Sequence, residues 1–211
     1  MKVVIVTGGS VPSKELLFSS LDAQDFVIGV DKGCDVLYKY KIKPSLILGD
    51  FDSIDPNILK EYKNQNIPMM KFNPEKDYTD TDLAYEKAKE VKPSKIIILG
   101  ATGSRMDHTL GNIGILLKAI KEGYNVEILD ENNRMFIVDK ASSFSGNYGD
   151  TISFHAISNV VTNFNIWGAK YNLSNYNMTL FEPRAVCNEF LDNDINISFD
   201  SGMILVIYSR D

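Results

Sequence analysis

Residues 1–130 alternate between short runs of apolar, often β-branched residues and longer stretches with apolar residues at helical spacing. The stretches with helical spacing predict helices, and the apolar runs predict buried strands. This alternation is typical of βαβ units, so we expect a mostly parallel sheet flanked by helices. The predicted strands are residues 2–7, 26–30, 46–48, 95–99 and 126–129, and the predicted helices are residues 14–21, 34–40, 57–63, 82–89 and 110–121.

The pattern changes after about residue 130. Short alternating runs are separated at close intervals by Asn, Gly and Ser, which predicts antiparallel strands in a small sandwich or barrel. We therefore expect an α/β domain over residues 1–133 and an antiparallel β-sandwich domain over residues 134–211. The predicted strands of the second domain are residues 134–138, 150–155, 160–164, 170–173, 195–198 and 203–208.

Charge and cysteine content narrow the functional classes. The net charge of −6 argues against a general affinity for nucleic acid, which needs a basic surface. The two cysteines, Cys34 and Cys187, lie far apart and predict neither a disulfide framework nor a metal site. The apolar start of the chain is too short for a signal peptide, and no run is long enough to span a membrane. We expect a cytoplasmic protein.

Polar residues follow four of the predicted strands. Ligands of open α/β sheets bind beyond the carboxyl ends of the strands, so these residues are candidates for one site. A further acidic cluster, formed by Asp77, Thr79, Asp80 and Asp82, precedes a predicted helix. The residues that follow the strands are Thr7 to Ser10, then Asp31 and Gly33, then Asp50, Asp52 and Ser53, and finally Thr102, Gly103, Ser104, Arg105 and Asp107.

Asp50 and Asp52 are expected to hold a cation. They lie two residues apart in what we expect to be extended chain, so their side chains would point the same way. Neighbouring carboxylates repel each other unless a counter-charge is present. Mg²⁺ commonly uses one or two carboxylates together with water and phosphate oxygens. The sequence therefore predicts a Mg²⁺ site at this edge of the sheet.

The segment GATGSRMDH, residues 100–108, is a candidate phosphate site. Its glycines allow close approach of an anion, and the amide groups at the start of the following helix would point at it. Arg105 adds a guanidinium suited to phosphate oxygens. The segment is not a Walker loop, since no Gly-Lys-Ser/Thr follows the glycines, and TGGS at residues 7–10 does not complete a dinucleotide fingerprint.

Several of these residues also have purely structural interpretations. Asp55 before Pro56 is typical of a helix N-cap, and Thr79 with Asp82 resembles a capping box. Asp107 could equally cap the following helix. His108 is expected to make an orienting hydrogen bond rather than to act as an acid or base. Three aromatic residues are expected to pack on strands rather than to form a ligand platform: Trp167, Tyr171 and Tyr176.

Three acidic motifs in this order resemble the thiamin pyrophosphokinase family: GDFDS (residues 49–53), KDYTD (76–80) and GATGSRMDHTLGN (100–112). VDKG (30–33), GAKYNL (168–173), CNEF (187–190) and GMILVI (202–207) extend the resemblance over nearly the whole chain. The resemblance implies transfer of the pyrophosphoryl group of ATP to the hydroxyl of thiamine, giving thiamine diphosphate and AMP. It also implies a homodimer with active sites at the subunit cleft.

The same resemblance implies roles for individual residues. Asp50, Asp52 and Asp31 match the metal and phosphate centre, and Asp80 and Asp107 match further catalytic acids. Asp80 also matches a thiamine-binding position, and it is the acid we favour as proton acceptor. Tyr171 and Asn188 match thiamine-binding positions on the sandwich. Residues at nucleotide-binding positions are Asp31, Thr79, Gly103, Ser104, Arg105 and Asn112. Lys32 stands where the family has glycine, and Cys187 where it often has serine.

Two other classes remain open from the sequence. Asp-Phe-Asp-Ser at residues 50–53 imitates the motif of Mg²⁺-dependent phosphatases of the haloacid dehalogenase type. In those enzymes the motif follows the first strand, whereas here it follows the third predicted strand. A nucleotide or thiamine sensor without catalytic activity is the other alternative, and the intact acids argue against it.

Overall fold

The structure is a computed structural model that describes residues 1–73 and 77–210. The chain divides into two compact units, residues 1–131 and 132–211, called here the N-terminal and C-terminal units. Within the described parts of the chain, no helix combines the length and apolar character needed to cross a membrane.

In its described residues, the N-terminal unit contains six strands and five helices. The strands pair in the order β6-β5-β1-β2-β3-β4, and each pairing is parallel. This confirms the predicted parallel sheet with helices. The strands are β1 (Val3–Val6), β2 (Phe26–Val30), β3 (Leu46–Gly49), β4 (Met69–Lys71), β5 (Ile96–Leu99) and β6 (Val126–Leu129), and the helices are α1 (Lys14–Ser19), α2 (Gly33–Lys39), α3 (Pro56–Asn64), α4 (Asp80–Glu90) and α5 (Met106–Lys121).

The central strands are buried on both faces, as their continuous apolar sequences predict. Val4 and Val6 of β1 pack on one face with Leu17 of α1 and Leu37 of α2. Ile5 points to the opposite face, because side chains alternate along a strand, and it is fully buried as well. α4 contacts β1, β2 and β3. Burial on both faces fixes the sheet in the middle of this unit and leaves its strand ends to carry polar loops.

Two helices begin earlier than their apolar spacing predicts. α4 begins at Asp80 rather than at residue 82, and α5 begins at Met106 rather than at residue 110. Met106 is exposed, and Asp80 is polar, so neither first turn carries the apolar periodicity on which the prediction rests. Strand β4 was also not predicted, because it is a three-residue strand at the end of the sheet order and none of its residues is fully buried.

Within residues 132–210, the C-terminal unit forms two antiparallel sheets, in the orders β12-β9-β14-β7 and β11-β10-β13-β8. Apolar side chains from both sheets form one core, in which the rings of Phe154 and Phe164 lie 6.1 Å apart. The predicted β-sandwich is therefore confirmed. The strands are β7 (Asn133–Val138), β8 (Ser142–Phe144), β9 (Thr151–Ala156), β10 (Val160–Trp167), β11 (Leu173–Thr179), β12 (Ala185–Glu189), β13 (Ile195–Ser198) and β14 (Ile204–Ser209).

The predicted strand at residues 170–173 is wrong. Strand β11 begins only at Leu173, and residues 168–172 form a loop. Gly168 has a φ of +82° there, which is incompatible with a strand, and the Tyr171 N–H donates to the side-chain amide of Asn188 rather than to a strand. Strands β8 and β12 were not predicted, since their short sequences are rich in small and polar residues.

Candidate functional site

A cleft of about 710 Å³ lies at the carboxyl ends of the strands of the N-terminal unit. It brings together the loops that follow β1, β2, β3 and β5 with the starts of α4 and α5. Asp50, Asp52 and Asp107, which the structure also describes, lie outside its lining. The predicted site residues that line the cleft are Asp31, Thr79, Asp80, Gly103, Ser104, Arg105 and Asn112.

The loops after β1 and β5 are joined through their backbones. The Gly9 N–H donates to the Gly100 carbonyl at 2.8 Å, and the Ser10 N–H donates to the Thr102 carbonyl at 2.7 Å. A Cβ atom at Gly9 would come within 2.2 Å of the Thr102 carbonyl oxygen, so only glycine permits this approach. Gly100, one of the two glycines predicted to allow close approach of an anion, therefore also joins the two loops that form one wall of the cleft.

The loop after β2 places Asp31 over the next strand. Asp31 has a φ of +44°, an unusual backbone conformation for a residue other than glycine. Its Oδ1 accepts a hydrogen bond from the Phe51 N–H at 3.5 Å. The Asp31 carboxylate is thus hydrogen-bonded to the loop that carries Asp50 and Asp52.

Asp50 and Asp52 do not lie in extended chain, and this prediction is wrong. Phe51 between them has a φ of +64°, and the Asp52 N–H donates to Asp50 Oδ1 at 3.0 Å in a tight turn. The two side chains nevertheless come together. The pKa of Asp52 is raised by its hydrogen bond to Asp50, by repulsion from the Asp50 charge and, further down the order, by the charge of Asp80. Asp52 and Asp80, which belong to two separate motifs, therefore lie close enough to interact electrostatically.

Asp50 and Asp52 would offer two neighbouring carboxylates to a divalent cation. Among the described residues, no three His, Cys, Asp or Glu side chains converge to hold a metal ion by themselves. Two carboxylates are nevertheless a sufficient protein contribution for Mg²⁺, which takes its remaining ligands from water and phosphates. The pKa of Asp52 is raised first by its hydrogen bond to Asp50 and then by the Asp50 charge, and a bound cation would offset that charge.

The start of α4 carries Asp80 into the cleft. Thr79 caps the helix, because its Oγ1 accepts a hydrogen bond from the Asp82 N–H at 3.2 Å, which confirms the predicted cap. Asp80 is the first helical residue and is partly buried. Asp77 is exposed, and Lys76 of the same motif lies outside the described residues. Asp55 caps α3 through the Asn57 N–H at 2.7 Å, so its structural interpretation is confirmed.

Lys118 of α5 forms salt bridges with two acidic residues in the first turns of α4. Its Nζ lies 3.0 Å from Asp82 Oδ1 and 2.7 Å from Glu86 Oε1. The pKa of Lys118 is raised, first by the hydrogen bond to Glu86 and then, against some desolvation, by the one to Asp82. Asp82 therefore does not complete a capping box with Thr79 but joins the two helices that line the cleft.

Arg105 and Asp107 form a pair at the start of α5. Arg105 Nε lies 3.2 Å from Asp107 Oδ1, and a terminal guanidinium nitrogen lies 2.5 Å from Oδ2. This pair lowers the pKa of Asp107 to about 2. Asp107 is the second residue of the helix and does not cap it, so that alternative is wrong. In this bidentate pair, Asp107 binds the guanidinium group of Arg105 that was predicted to bind phosphate.

Two side-chain hydrogen bonds stabilise the loop that follows β5. The buried Asn112 side chain donates from Nδ2 to the Ala101 carbonyl at 2.7 Å. Thr102 Oγ1 donates to Asp130 Oδ2 at 2.9 Å. Asp130 is not among the site residues predicted from the sequence, although it directly follows β6, as other predicted site residues follow their strands. Asn112 thus supports the loop at residues 101–104 by a contact that motif matching does not reveal.

Tyr171 and Asn188 line a separate pocket of about 500 Å³ in the C-terminal unit. Asn188 is buried, its Oδ1 accepts from the Tyr171 N–H at 2.9 Å, and its Nδ2 donates to the Tyr171 carbonyl at 2.7 Å. Tyr171 itself is 58% exposed. Asn188 therefore fixes the backbone from which the Tyr171 ring projects.

The other aromatic predictions have a mixed outcome. Tyr176 packs against the sandwich core, as predicted. Trp167 and Tyr171 are about half exposed, so the packing interpretation is wrong for both. Trp167 is the last residue of β10, and Tyr171 lies in the loop at residues 168–172 that follows it. His108 lines the cleft, and its orienting hydrogen bond stays a prediction.

Comparisons with known proteins match both units. Residues 18–128 match the family described as "Thiamin pyrophosphokinase, catalytic domain", and residues 137–204 match "Thiamin pyrophosphokinase, vitamin B1 binding domain". The chain is 34% identical to the thiamine pyrophosphokinase of Bacillus subtilis over the full length of both chains.

Solved structures agree with the sequence matches. The crystal structure of thiamine pyrophosphokinase from Bacillus subtilis superposes with a TM-score of 0.90 over 100% of both chains, at 31% identity. That of thiamin pyrophosphokinase from Geobacillus thermodenitrificans superposes with a TM-score of 0.87, at 28% identity, over 100% of this chain and 98% of the other.

Proposed function

The chain belongs to the thiamin pyrophosphokinase family, and we propose that it transfers the pyrophosphoryl group of ATP to the hydroxyl of thiamine, producing thiamine diphosphate and AMP. The observation that carries this proposal is the match to both family domains, in order, within a chain that aligns end to end with a thiamine pyrophosphokinase. The acidic, glycine-walled cleft supports it, because it offers the groups that phosphoryl transfer requires.

We assign the two halves of the reaction to different domains. Residues 1–133 bind the nucleotide and Mg²⁺, and residues 134–211 bind thiamine and form the contact of a homodimer. The separate pocket around Tyr171 supports a thiamine-binding role for the second domain, since an exposed aromatic ring can stack on a cationic heterocycle. We also propose a cytoplasmic location, which is supported by the free thiols of Cys34 and Cys187.

Asp50, Asp52 and Asp31 would hold the Mg²⁺ ion. When bound, the ion supplies positive charge to the oxygens of the transferred phosphates. The protein's own part is to hold these carboxylates in place: the turn through Phe51 brings Asp50 and Asp52 together, and the Phe51 N–H holds Asp31.

Nucleotide binding is assigned to the walls of the cleft. Gly103, Ser104 and the amide groups at the start of α5 face the phosphates, as helix N-termini commonly do. Thr79 holds the start of α4, and Asn112 supports the loop through Ala101. For Arg105 to contact the nucleotide directly, its pair with Asp107 must open or share one of its N–H groups. Asp107 therefore acts by setting the position of Arg105.

Asp80 is our candidate for the proton acceptor. The thiamine oxygen forms a bond to the β-phosphorus of ATP while the bond from that phosphorus to the oxygen bridging to the α-phosphorus breaks, and AMP leaves with that oxygen. The proton of the thiamine hydroxyl passes to Asp80, which lines the cleft at the start of α4. Asn188 contributes by holding the backbone of Tyr171, whose ring contacts thiamine.

An assay of AMP formation tests the proposal. Purified protein is incubated with ATP and Mg²⁺, with and without thiamine, and AMP, inorganic phosphate and thiamine diphosphate are measured. AMP and thiamine diphosphate in equal amounts, formed only with thiamine, are expected. Release of inorganic phosphate without thiamine would instead identify a phosphohydrolase, and thiamine binding without turnover would identify a sensor.

The Asp50→Asn variant tests the metal assignment separately. Its turnover is expected to fall by about 100-fold or more, as for the loss of other groups that stabilise charge in a transition state. Full activity in this variant would contradict the assignment of Asp50 as a Mg²⁺ ligand but would not contradict the proposed reaction.

A further inference from the structure

Two cationic side chains line the described part of the cleft, and they differ in whether an acidic partner already binds them. The lining includes Lys32 and Arg105 as cationic side chains, together with His108. Arg105 is held by both oxygens of Asp107. Among the ion pairs of the described residues, none within 4.0 Å involves Lys32. Its charge acts on Asp35 of α2, where it partly offsets the rise in pKa that burial causes, but no described residue holds the ammonium group in a salt bridge.

The backbone fixes where Lys32 stands. It precedes the first residue of α2, directly after Asp31, with a helical φ of −60° and no capping hydrogen bond from its side chain. A Cβ atom at Gly8 would come within 3.1 Å of Lys32 Cβ. The stem of Lys32 therefore starts beside the glycine loop that follows β1, on the wall of the cleft that this loop forms.

The surrounding charges favour an anion at this place. Asp31 and Asp80 line the same cleft. The loop of Asp50 and Asp52 adjoins it, because the N–H of Phe51 between them donates to Asp31 and the charge of Asp80 acts on Asp52. A polyphosphate carries several negative charges, so these acids would repel it unless cations stand between them. Lysine is a common point-charge ligand of phosphate, and its flexible stem lets the ammonium reach oxygens at the floor of a cleft.

We propose that Lys32 binds the phosphate chain of ATP and is a determinant of nucleotide affinity in this chain. This inference rests on the proposed function for the identity of the nucleotide. Lys32 stands where the family resemblance has glycine, so its contact would be one that the motif itself does not provide. Lys32 is expected to increase the affinity for the phosphate chain of ATP and to leave the affinity for thiamine unchanged.

The test measures binding of α,β-methylene-ATP, in which the bond that breaks in the reaction is replaced by a carbon link. Titration calorimetry with Mg²⁺ compares the natural protein with Lys32→Ala, Lys32→Arg and the control Lys60→Ala, an exposed lysine of α3 outside the cleft. Lys32→Ala is expected to weaken binding by about 10- to 100-fold, the usual range for a hydrogen bond to a charged group. Lys32→Arg is expected to retain most of the affinity.

Adenosine, which has no phosphate, separates a phosphate contact from general damage to the cleft. Its binding is expected to be equal in the natural protein and in Lys32→Ala, and circular dichroism of the variant checks its fold. Equal analogue affinity in Lys32→Ala and Lys60→Ala would overturn the proposal, as would parallel losses for analogue and adenosine. Because these titrations contain no thiamine, loss of analogue binding in a protein that forms no AMP would contradict the proposed reaction while supporting the phosphate contact.

Discussion

The carboxylate of Asp31 occupies the space above Gly49 so closely that a Cβ atom at residue 49 would lie 1.7 Å from Asp31 Oδ1. Gly49 ends β3 with a φ of +144°, a conformation that side chains rarely adopt. The absence of a side chain at one residue therefore determines where the carboxylate of another can stand. Asp31 is a proposed metal ligand, so this contact connects backbone geometry with the proposed chemistry.

Gly49→Ala is expected to lower both stability and activity. The added methyl group must displace Asp31 and strain the backbone, at a cost of about 1–3 kcal/mol in the free energy of unfolding. Urea unfolding and the rate of AMP formation measure the two effects. Gly114→Ala is the matched control, since a Cβ atom there meets nothing within 4 Å and the residue lies in α5. That control should be stabilised by up to about 1 kcal/mol, and equal behaviour of the two variants would contradict the role given to Gly49.

Asp52→Asn is expected to separate stability from activity. The folded-state pKa of Asp52 is raised above its ordinary value of 3.8, so the ionised carboxylate opposes folding at neutral pH. The metal-free variant should therefore melt at the same temperature as the natural protein or higher, and this difference should vanish as the pH falls below 3.8. Turnover should drop by about 100-fold or more, because a proposed Mg²⁺ ligand is lost.

Thermal melts in the presence of a chelator and AMP assays with Mg²⁺ measure these two effects. The exposed Asp192→Asn serves as the control and should change neither quantity. A large destabilisation of metal-free Asp52→Asn would show that the Asp50–Asp52 turn is needed for the fold and not only for a cation.

Lys118→Met is expected to loosen α4 from α5. Asp82 would lose its partner while its side chain is 17% exposed, which should cost about 1–2 kcal/mol in the free energy of unfolding. Burial raises the pKa of Glu86, but hydrogen bonds from Lys118 and Lys89 outweigh it and lower that pKa. A lowered carboxyl pKa stabilises the fold above the unfolded value of 4.5 and loses this effect as the pH falls.

The difference between the natural protein and Lys118→Met should therefore be largest near neutral pH and shrink below about pH 4.5. Urea unfolding over a pH series measures it. Lys121→Met, at the exposed end of the same helix, is the control. A pH-independent difference would mean that Lys118 acts through its packing alone.

Asn188→Ala is expected to affect thiamine but not the nucleotide. Removing the amide leaves the Tyr171 N–H and carbonyl without their partner, at a cost of about 1–3 kcal/mol in the free energy of unfolding. The Tyr171 ring should then lose its fixed position, so KM for thiamine should rise while the affinity for α,β-methylene-ATP stays constant.

Tyr171→Ala provides the comparison, because it removes the ring and leaves the backbone held by Asn188. A rise in KM for thiamine in both variants, with a loss of stability mainly in Asn188→Ala, is the expected pattern. An unchanged KM for thiamine in Tyr171→Ala would remove this residue from the thiamine site.

The sequence predicted the parallel sheet well, because runs such as those around Ile5 and Ile98 are apolar over their whole length and leave little room for another structure. It also located the cleft, since every parallel strand delivers its following residues to one edge. It did not predict the turn at Phe51 or the pair of Arg105 with Asp107. Both depend on local backbone angles and side-chain directions that spacing in the sequence does not encode.

The same limit explains the error in the C-terminal unit. The alternation of Tyr171 and Leu173 predicts a strand at residues 170–173, but residues 170–172 belong to a loop. Its conformation is set by Asn188, a buried residue distant in the sequence, together with Gly168. Interactions of this kind between distant residues are invisible to local patterns.

The backbone hydrogen bond from Gly9 to Gly100 has a consequence for the protein's evolution. Gly9 contributes only backbone atoms to this contact, and a Cβ atom there would clash with the opposite loop, so no substitution in that loop can compensate for the loss of Gly9. Positions that touch through side chains can drift together by paired changes, whereas Gly9 can only be kept or lost. We expect this wall of the cleft to appear in related sequences as fixed glycines without correlated variation, while the side chains projecting from it are free to diversify.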